Sequence, residues 1–238
     1  MSLKAIRVRL QKLADPAQAA ALQRFFKTGP GEYGEGDVFL GIKVPITRKL
    51  VRECDGLKPS DVLRMLRSKF HEERLLALLC FVRAYERGNE ERQAQIYDLY
   101  LNSTAYINNW DLVDLSAPDI VGAHLFKRDR KPLYRLVRSK SLWERRIAVL
   151  ATQHFISKGQ FADTLKLAEI LLADEYDLIH KAVGWMLREV GKRDRPQLEQ
   201  FLTKHCRQMP RTMLRYAIER FPQRLRQRYL RGSIGAGR

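Results

Sequence analysis

Apolar positions along most of the chain recur at three- and four-residue intervals, as in Leu75, Leu79 and Val82. That is the spacing of a buried helix face, and little of the chain shows the period-two alternation of strands. The pattern predicts an all-helical protein, and its punctuation is helical as well. Ser141-Leu142-Trp143-Glu144 reads as a capping box: the serine hydroxyl accepts an early backbone N–H, the glutamate reaches back, and Gly159 suits the stop. Pro132 and Pro196 suit first-turn positions, and Asp174 suits the N-cap of a helix that reaches Gly191.

The chain also aligns with itself. His71 to Arg74 followed by a Leu-rich run matches Trp143 to Arg146 followed by Ile-Ala-Val-Leu-Ala, and both match Leu178 to Lys181 followed by Ala-Val-Gly-Trp-Met. Arg74, Trp110, Arg146 and Lys181 then fall 36, 36 and 35 positions apart. That period belongs to stacked helix pairs of the HEAT, armadillo or tetratricopeptide sort, in which each repeat buries its apolar face only against its neighbours. The expected architecture is an all-α helical-repeat solenoid forming one domain over residues 1–238. In this alignment the next helical turn holds Leu78, Asp114, Leu150 and Trp185. Trp110 with Asp114, and Lys181 with Trp185, are each four residues apart and so share a helix face. If the corresponding helices line one wall, two aromatics, a carboxylate, an arginine and a lysine converge there.

Charge narrows the class of partner. Among 238 residues, 44 Lys and Arg stand against 27 Asp and Glu, a formal charge of +17. Such an excess favours a polyanion, because Lys and Arg neutralise phosphates and release condensed counterions. Residues 127–146 carry nine Lys or Arg against Asp129 and Glu144, and residues 204–238 carry ten against Glu219. These stretches are too lopsided for ordinary solvated faces and suggest contact with a nucleic-acid backbone. Cys54, Cys80 and Cys206 are odd in number and lack ligand spacing, so they read as small buried apolar groups in a reducing compartment. No signal-peptide hydrophobic region and no apolar run of about 18–20 residues is present, so the expectation is a cytoplasmic protein with no membrane partner.

Four segments together carry a family resemblance. They are Phe39-Leu40-Gly41-Ile42 with Pro45 and Arg48; Asn109-Trp110-Asp111-Leu112-Val113-Asp114; Leu142-Trp143-Glu144-Arg145-Arg146; and Lys181 to Glu189. In this order and in the repeat frame, they resemble the AlkD family of HEAT-like DNA glycosylases over roughly residues 20 to 230. The resemblance implies a HEAT-like helical-repeat solenoid with a basic concave DNA-binding face, and excision of N3- and N7-alkylated purines from duplex DNA without drawing the base into a pocket. It also implies that Trp110, Asp114 and Trp185 form the catalytic cluster, with Arg146 beside them. Lys43 and Val44 depart from the family pattern, and the loop from Gly29 to Gly36 is longer, so N-terminal DNA contacts transfer least directly.

The chemistry of these residue types agrees with that implication. A cationic purine is already a good leaving group, so positive charge builds on the deoxyribose as the bond breaks and little acid assistance is needed. Asp114 can stabilise that charge and orient or deprotonate the attacking water. Trp110 and Trp185 can offer π-faces to the cation, an attraction of roughly 0.5–2 kcal/mol depending on desolvation. Arg146 can fork onto a phosphate, and Lys43, Arg48, Lys181 and Arg188 are further candidates for the backbone.

Trp143 reads as packing. The five histidines, His154 and His180 among them, show no metal spacing, and no serine or cysteine triad is visible. The Gly-rich loop lacks the Lys-Ser/Thr ending of a P-loop, carries acids that would repel phosphate, and reads as a flexible connection. No lysine nucleophile stands beside Asp114, which points to base hydrolysis without strand cleavage. No metal or cofactor is expected, and a monomer is. The competing readings are a non-catalytic HEAT-like nucleic-acid-binding or scaffold protein and an RNA-binding solenoid.

Overall fold

The computed structural model describes residues 2–234, and among them the regular secondary structure is helical, with no strand. An isolated parallel bridge joins Val38 to Phe70. The chain divides into two compact units, Met1–Ser116 and Ala117–Arg238. The first unit contains α1 (Leu3–Lys12), α2 (Pro16–Phe25), α3 (Val44–Leu50), α4 (Pro59–Leu66), α5 (His71–Arg87), α6 (Glu90–Leu101) and the short α7 (Trp110–Asp114). The second opens on a π-helical turn, Pro118–Gly122. It continues with α8 (Ala123–Leu125), α9 (Lys131–Leu136), α10 (Leu142–Ser157), α11 (Ala162–Ile170), α12 (Asp177–Arg193), α13 (Arg195–His205), α14 (Arg211–Ala217) and α15 (Gln223–Leu230).

Each unit is organised on its longest helices. Leu75, Leu76, Ala77 and Leu78 are all buried on α5, and α3, α4 and α6 pack around it. Such an all-round apolar stretch fits only a helix with neighbours on several sides. In the second unit α10 buries Ile147 to Ala151 without a break, and α12 lies between α10 and α14. Gly184 sets the approach of that last pair, since a Cβ there would meet the Met213 carbonyl oxygen at 2.5 Å.

Many of the helix ends follow from local chemistry. Ser141 Oγ accepts the Glu144 N–H at 3.4 Å at the start of α10, and Gly159, at φ +74°, ends that segment. Pro132 and Pro196 occupy the first turns of α9 and α13. Asp174 differs from expectation, because α12 starts later, at Asp177 with Tyr176 at its cap, and runs past Gly191. The Asp174 carboxylate instead accepts the Tyr176 N–H at 2.9 Å and the Arg145 Nε–H at 2.7 Å, closing the turn that precedes the helix.

The repeat alignment also shifts by one residue. Arg74 on α5 donates to the carbonyls of Ser68 and Lys69, six and five residues upstream. Arg145 does the same to Ser139 and Lys140, at 2.9 and 3.0 Å. On α12 the His180 ring reaches the Asp174 carbonyl, again six residues back. All three sit fourth in their helices, so Arg74 corresponds to Arg145 and His180, not to Arg146 and Lys181. Each long helix thereby clamps the turn that leads into it.

The Gly29 to Gly36 loop is closed by its own hydrogen bonds and is not a bare connection. The Gly29 N–H donates to Glu32 at 2.9 Å, the Gly31 N–H to Glu35 at 3.0 Å and the Gly34 N–H to the Lys27 carbonyl at 3.0 Å. The two acids that make the loop unsuitable for phosphate are the groups that fold it.

Candidate functional site

A five-residue helix has no stability of its own, because nucleating one turn costs more than its few hydrogen bonds return. The α7 helix is therefore held by side chains. Its Asn109 cap is fully buried, accepts the Trp110 N–H at 2.8 Å and donates to Asp37 at 2.9 Å. Asp111 is also buried and accepts the Leu112 N–H at 2.9 Å, while its second oxygen lies 2.8 Å from His71 Nε2. Ser116 closes the other end by donating to the Leu112 carbonyl at 2.5 Å and lying 2.9 Å from the buried Tyr100 hydroxyl.

Asp111, Leu112 and Val113 are turned inward, leaving Trp110 and Asp114 half-buried at the two ends of the helix. These two residues are four apart and share its outer face. Trp110 does not stand alone. Its ring stacks on Phe26, with centroids 5.1 Å apart and planes 10° apart, and meets Phe25 edge-on at 6.1 Å. Phe25 is 64% exposed, the largest exposure among the large apolar side chains of the described residues. Asp114 lies close enough to Tyr100 for its charge to act there. Burial first and Asp114 next push the Tyr100 phenol above its ordinary range, against the hydrogen bond with Ser116.

Behind this face lies a buried ionic cluster. His71, at the start of α5, has Nδ1 3.0 Å from Asp37 and Nε2 2.8 Å from Asp111, and Arg74 also pairs with Asp37. Burial disfavours the charged imidazole, but the charge and hydrogen bonding of Asp111 and then of Asp37 outweigh it and push His71 up to about 9. Burial would raise Asp37, yet His71, Arg74 and Asn109 together hold its carboxyl below the usual range. The His71 ring stacks on Phe39 at 4.4 Å, and Phe39 stacks on Phe26 at 4.9 Å, so aromatic contacts run from this cluster to Trp110. Beside it the buried Glu72 accepts the backbone N–H groups of Leu40, Gly41 and Ile42 at 2.8, 2.8 and 3.1 Å. Gly41 is required there: its φ is +86°, and a Cβ would approach the Asp15 carbonyl to 2.1 Å. Lys43, which caps α3, and Arg48 on that helix are both exposed.

The remaining candidates belong to the second unit. Arg146 on α10 is 4% exposed and donates to the Leu178 carbonyl in the first turn of α12. Lys181 pairs with Asp177 at 2.7 Å. Trp185 is half-buried and donates from Nε1 to Glu189 at 3.2 Å. Arg188 contacts both Glu189 and Glu219. Burial would raise Glu189, but Lys192 and Arg188 hold it below the ordinary carboxylate range, so it is a firm acceptor for the indole. Among the described residues no His, Cys, Asp or Glu group is arranged to hold a metal ion, and no helix is long and apolar enough to cross a membrane. Cys54, Cys80 and Cys206 are free thiols and buried.

The family model for DNA alkylation repair enzymes matches residues 6–221. The chain belongs to that family. Membership gives this DNA alkylation repair enzyme a role in DNA repair. No curated protein matches it significantly. Its fold is similar to a structure described as a predicted DNA alkylation repair enzyme from Enterococcus faecalis, at a TM-score of 0.67 and 17% identity, covering 88% of this chain and 97% of that one. It is also similar to the smu.31 protein of Streptococcus mutans UA159, at a TM-score of 0.51 and 14% identity, covering 87% and 96%.

Sequence reasoning singled out Trp110 and Asp114 but not Phe25, Phe26, Asp37 or the charged role of His71. Asn109, Asp111 and His71 stood inside noted motifs, yet nothing local distinguished an outward residue from one that holds the helix.

Proposed function

We propose that this DNA alkylation repair enzyme is a monofunctional glycosylase that hydrolyses the N-glycosidic bond of cationic N3- and N7-alkylated purines in duplex DNA, without enclosing the base in a pocket. The observation that carries the reading is the pairing of a half-buried tryptophan and a half-buried carboxylate one turn apart on α7, every residue between them being buried.

Asp114 stabilises the positive charge that develops on the deoxyribose and orients or deprotonates the incoming water. Trp110, with Phe25 beside it, offers a π-surface to the cationic base, and Trp185 on α12 is a π-face of the same chemistry. The bond from N9 to C1′ breaks with its electron pair leaving on the purine, which is neutralised as it departs. Water then closes on C1′ and gives up its proton. Lys43, Arg48, Lys181 and Arg188 contact the phosphates, and Arg146 acts from behind by holding the first turn of α12. The protein works as a monomer, without metal or cofactor.

The test is single-turnover release of bases from matched duplexes carrying N7-methylguanine, uracil or hypoxanthine. The cationic purine is released fastest by a wide margin, and bulky N7 adducts are also released, since no enclosing wall has to admit them. Release of uracil as fast as N7-methylguanine overturns the mechanism, because a neutral base needs an acid or a base-reading pocket that this reading lacks.

A further inference from the structure

The ionic cluster behind α7 is built to a requirement that only one form of His71 meets. Both of its ring nitrogens face carboxylate oxygens, at 3.0 Å for Asp37 and 2.8 Å for Asp111. Carboxylates only accept hydrogen bonds, so both contacts need an N–H, and an imidazole carries two only when protonated. The charges agree: His71 and Arg74 balance Asp37 and Asp111 in a site where all four residues are buried. The rest of the wall offers no substitute cation. Phe39 stacks on the ring and Phe26 lies against it at a tilt, Glu72 is turned to the Leu40 to Ile42 amides, and Glu73 is taken by Arg7 and Ser68.

We infer that His71 is the positioning residue of the glycosylase site: as an imidazolium it draws Asp37 and Asp111 together and so fixes the orientation in which α7 presents Trp110 and Asp114. The inference rests on the proposed function for its link to catalysis. When His71 loses its proton, one nitrogen turns a lone pair toward a carboxylate and the cluster is left with a net buried negative charge. The least costly relief is movement of Asp111, because α7 is short and lacks stability of its own. A displaced Asp111 carries Asp114 with it, and a catalytic group misplaced by about 1 Å costs on the order of a hundredfold in rate. His71 touches no substrate; it acts through Asp111.

The experiment uses the full chain labelled with 13C in histidine and 15N in tryptophan, followed by NMR from pH 7 to 10.5. In parallel, single-turnover release of N7-methylguanine is measured in the wild type and in Asp111→Asn. The expected result is one shared midpoint for the His71 ring, the Trp110 indole N–H signal and the fall in rate. Above it the rate declines about tenfold per pH unit, as a single ionisation dictates. In Asp111→Asn the amide can either accept from or donate to the ring, and a deprotonated His71 leaves Asp37 balanced by Arg74, so the part of the fall in rate that follows His71 is lost. Ionisation of the substrate is common to both proteins and cancels in that comparison. A His71 that titrates while the Trp110 signal and the rate stay level overturns the inference, as does a rate profile identical in the two proteins. If Asp111→Asn does not fold, coincidence of the His71 and Trp110 midpoints in the protein without DNA decides alone. If the wild type releases no base at any pH, the proposed function fails, while agreement or disagreement of the His71 and Trp110 midpoints still decides the positioning claim.

Discussion

The Asn109 side chain serves Trp110 from one end and Asp37 from the other: its oxygen accepts the Trp110 N–H at 2.8 Å and its amide nitrogen donates to the Asp37 carboxylate at 2.9 Å. One fully buried amide thus starts the helix that carries the tryptophan and ties that helix to the ionic cluster. Replacing it by alanine removes a cap worth about 1 kcal/mol and a donor to a buried carboxylate worth roughly 1–3 kcal/mol. Asn109→Asp keeps the cap but puts a third carboxylate against Asp37, and it is expected to be the less stable of the two. Chemical denaturation of both variants checks the order; equal stabilities contradict the account of Asn109 as a donor.

Asp114→Asn keeps volume and removes charge. Release of N7-methylguanine in a single turnover is expected to fall by a factor of about 100 or more, the scale of a lost transition-state electrostatic contact. Affinity for the same duplex stays within about twofold, since the carboxylate adds nothing favourable to binding a polyanion. Undiminished release by a folded Asp114→Asn protein removes Asp114 from the mechanism.

What was readable in the sequence was what is local. The helical period, Ser141 at its cap, Pro132 and Pro196 in first turns and Gly159 at a stop are all decided by near neighbours, and all are in place. The spacing of Trp110 and Asp114 likewise fixed their common face. The Asp37, His71 and Asp111 cluster was not readable, because its members meet across 34 and 40 positions and each alone is an ordinary polar residue. Phe25 and Phe26 were missed for the same reason. The one-residue slip in the repeat alignment arose because Arg145 and Arg146 are adjacent and chemically identical; only the carbonyls that Arg145 reaches tell them apart.

Stability is expected to fall on the alkaline side. His71 titrates at about 9 in the folded protein against an ordinary 6.5, so the folded state holds a proton that the unfolded chain gives up between those values. The contribution is complete below about 6.5 and is lost as pH rises through about 9; the full span is roughly 3 kcal/mol at 1.36 kcal/mol per unit. The melting temperature of the wild type therefore drops between pH 7 and 9.5, and His71→Gln flattens that drop while lowering the value at pH 7. A wild-type melting temperature that rises over this interval contradicts the assignment.

Duplex affinity is expected to fall steeply with salt, each phosphate contact adding about −0.9 to the logarithmic slope. Lys43→Ala at the cap of α3 and Arg48→Ala on that helix, both at exposed positions, each flatten the slope by about that share. Arg146→Ala behaves differently. Its guanidinium is buried against the Leu178 carbonyl, so the change lowers stability by roughly 1–3 kcal/mol and leaves the slope nearly unaltered. Titrations at four salt concentrations separate the two behaviours, and a slope lowered by Arg146→Ala but not by Arg48→Ala reverses the assignment.

Three consecutive amides at Leu40, Gly41 and Ile42 converge on the Glu72 carboxylate. Converging backbone N–H groups of this kind form an anion receptor, and in a DNA-binding protein such a receptor is a natural seat for a phosphate. Here the chain supplies its own anion, covalently attached and always at full occupancy. Neither DNA nor a buffer anion can compete for it, so this turn is invisible to ionic strength. Whatever salt dependence the N-terminal part of the protein shows therefore owes nothing to this turn.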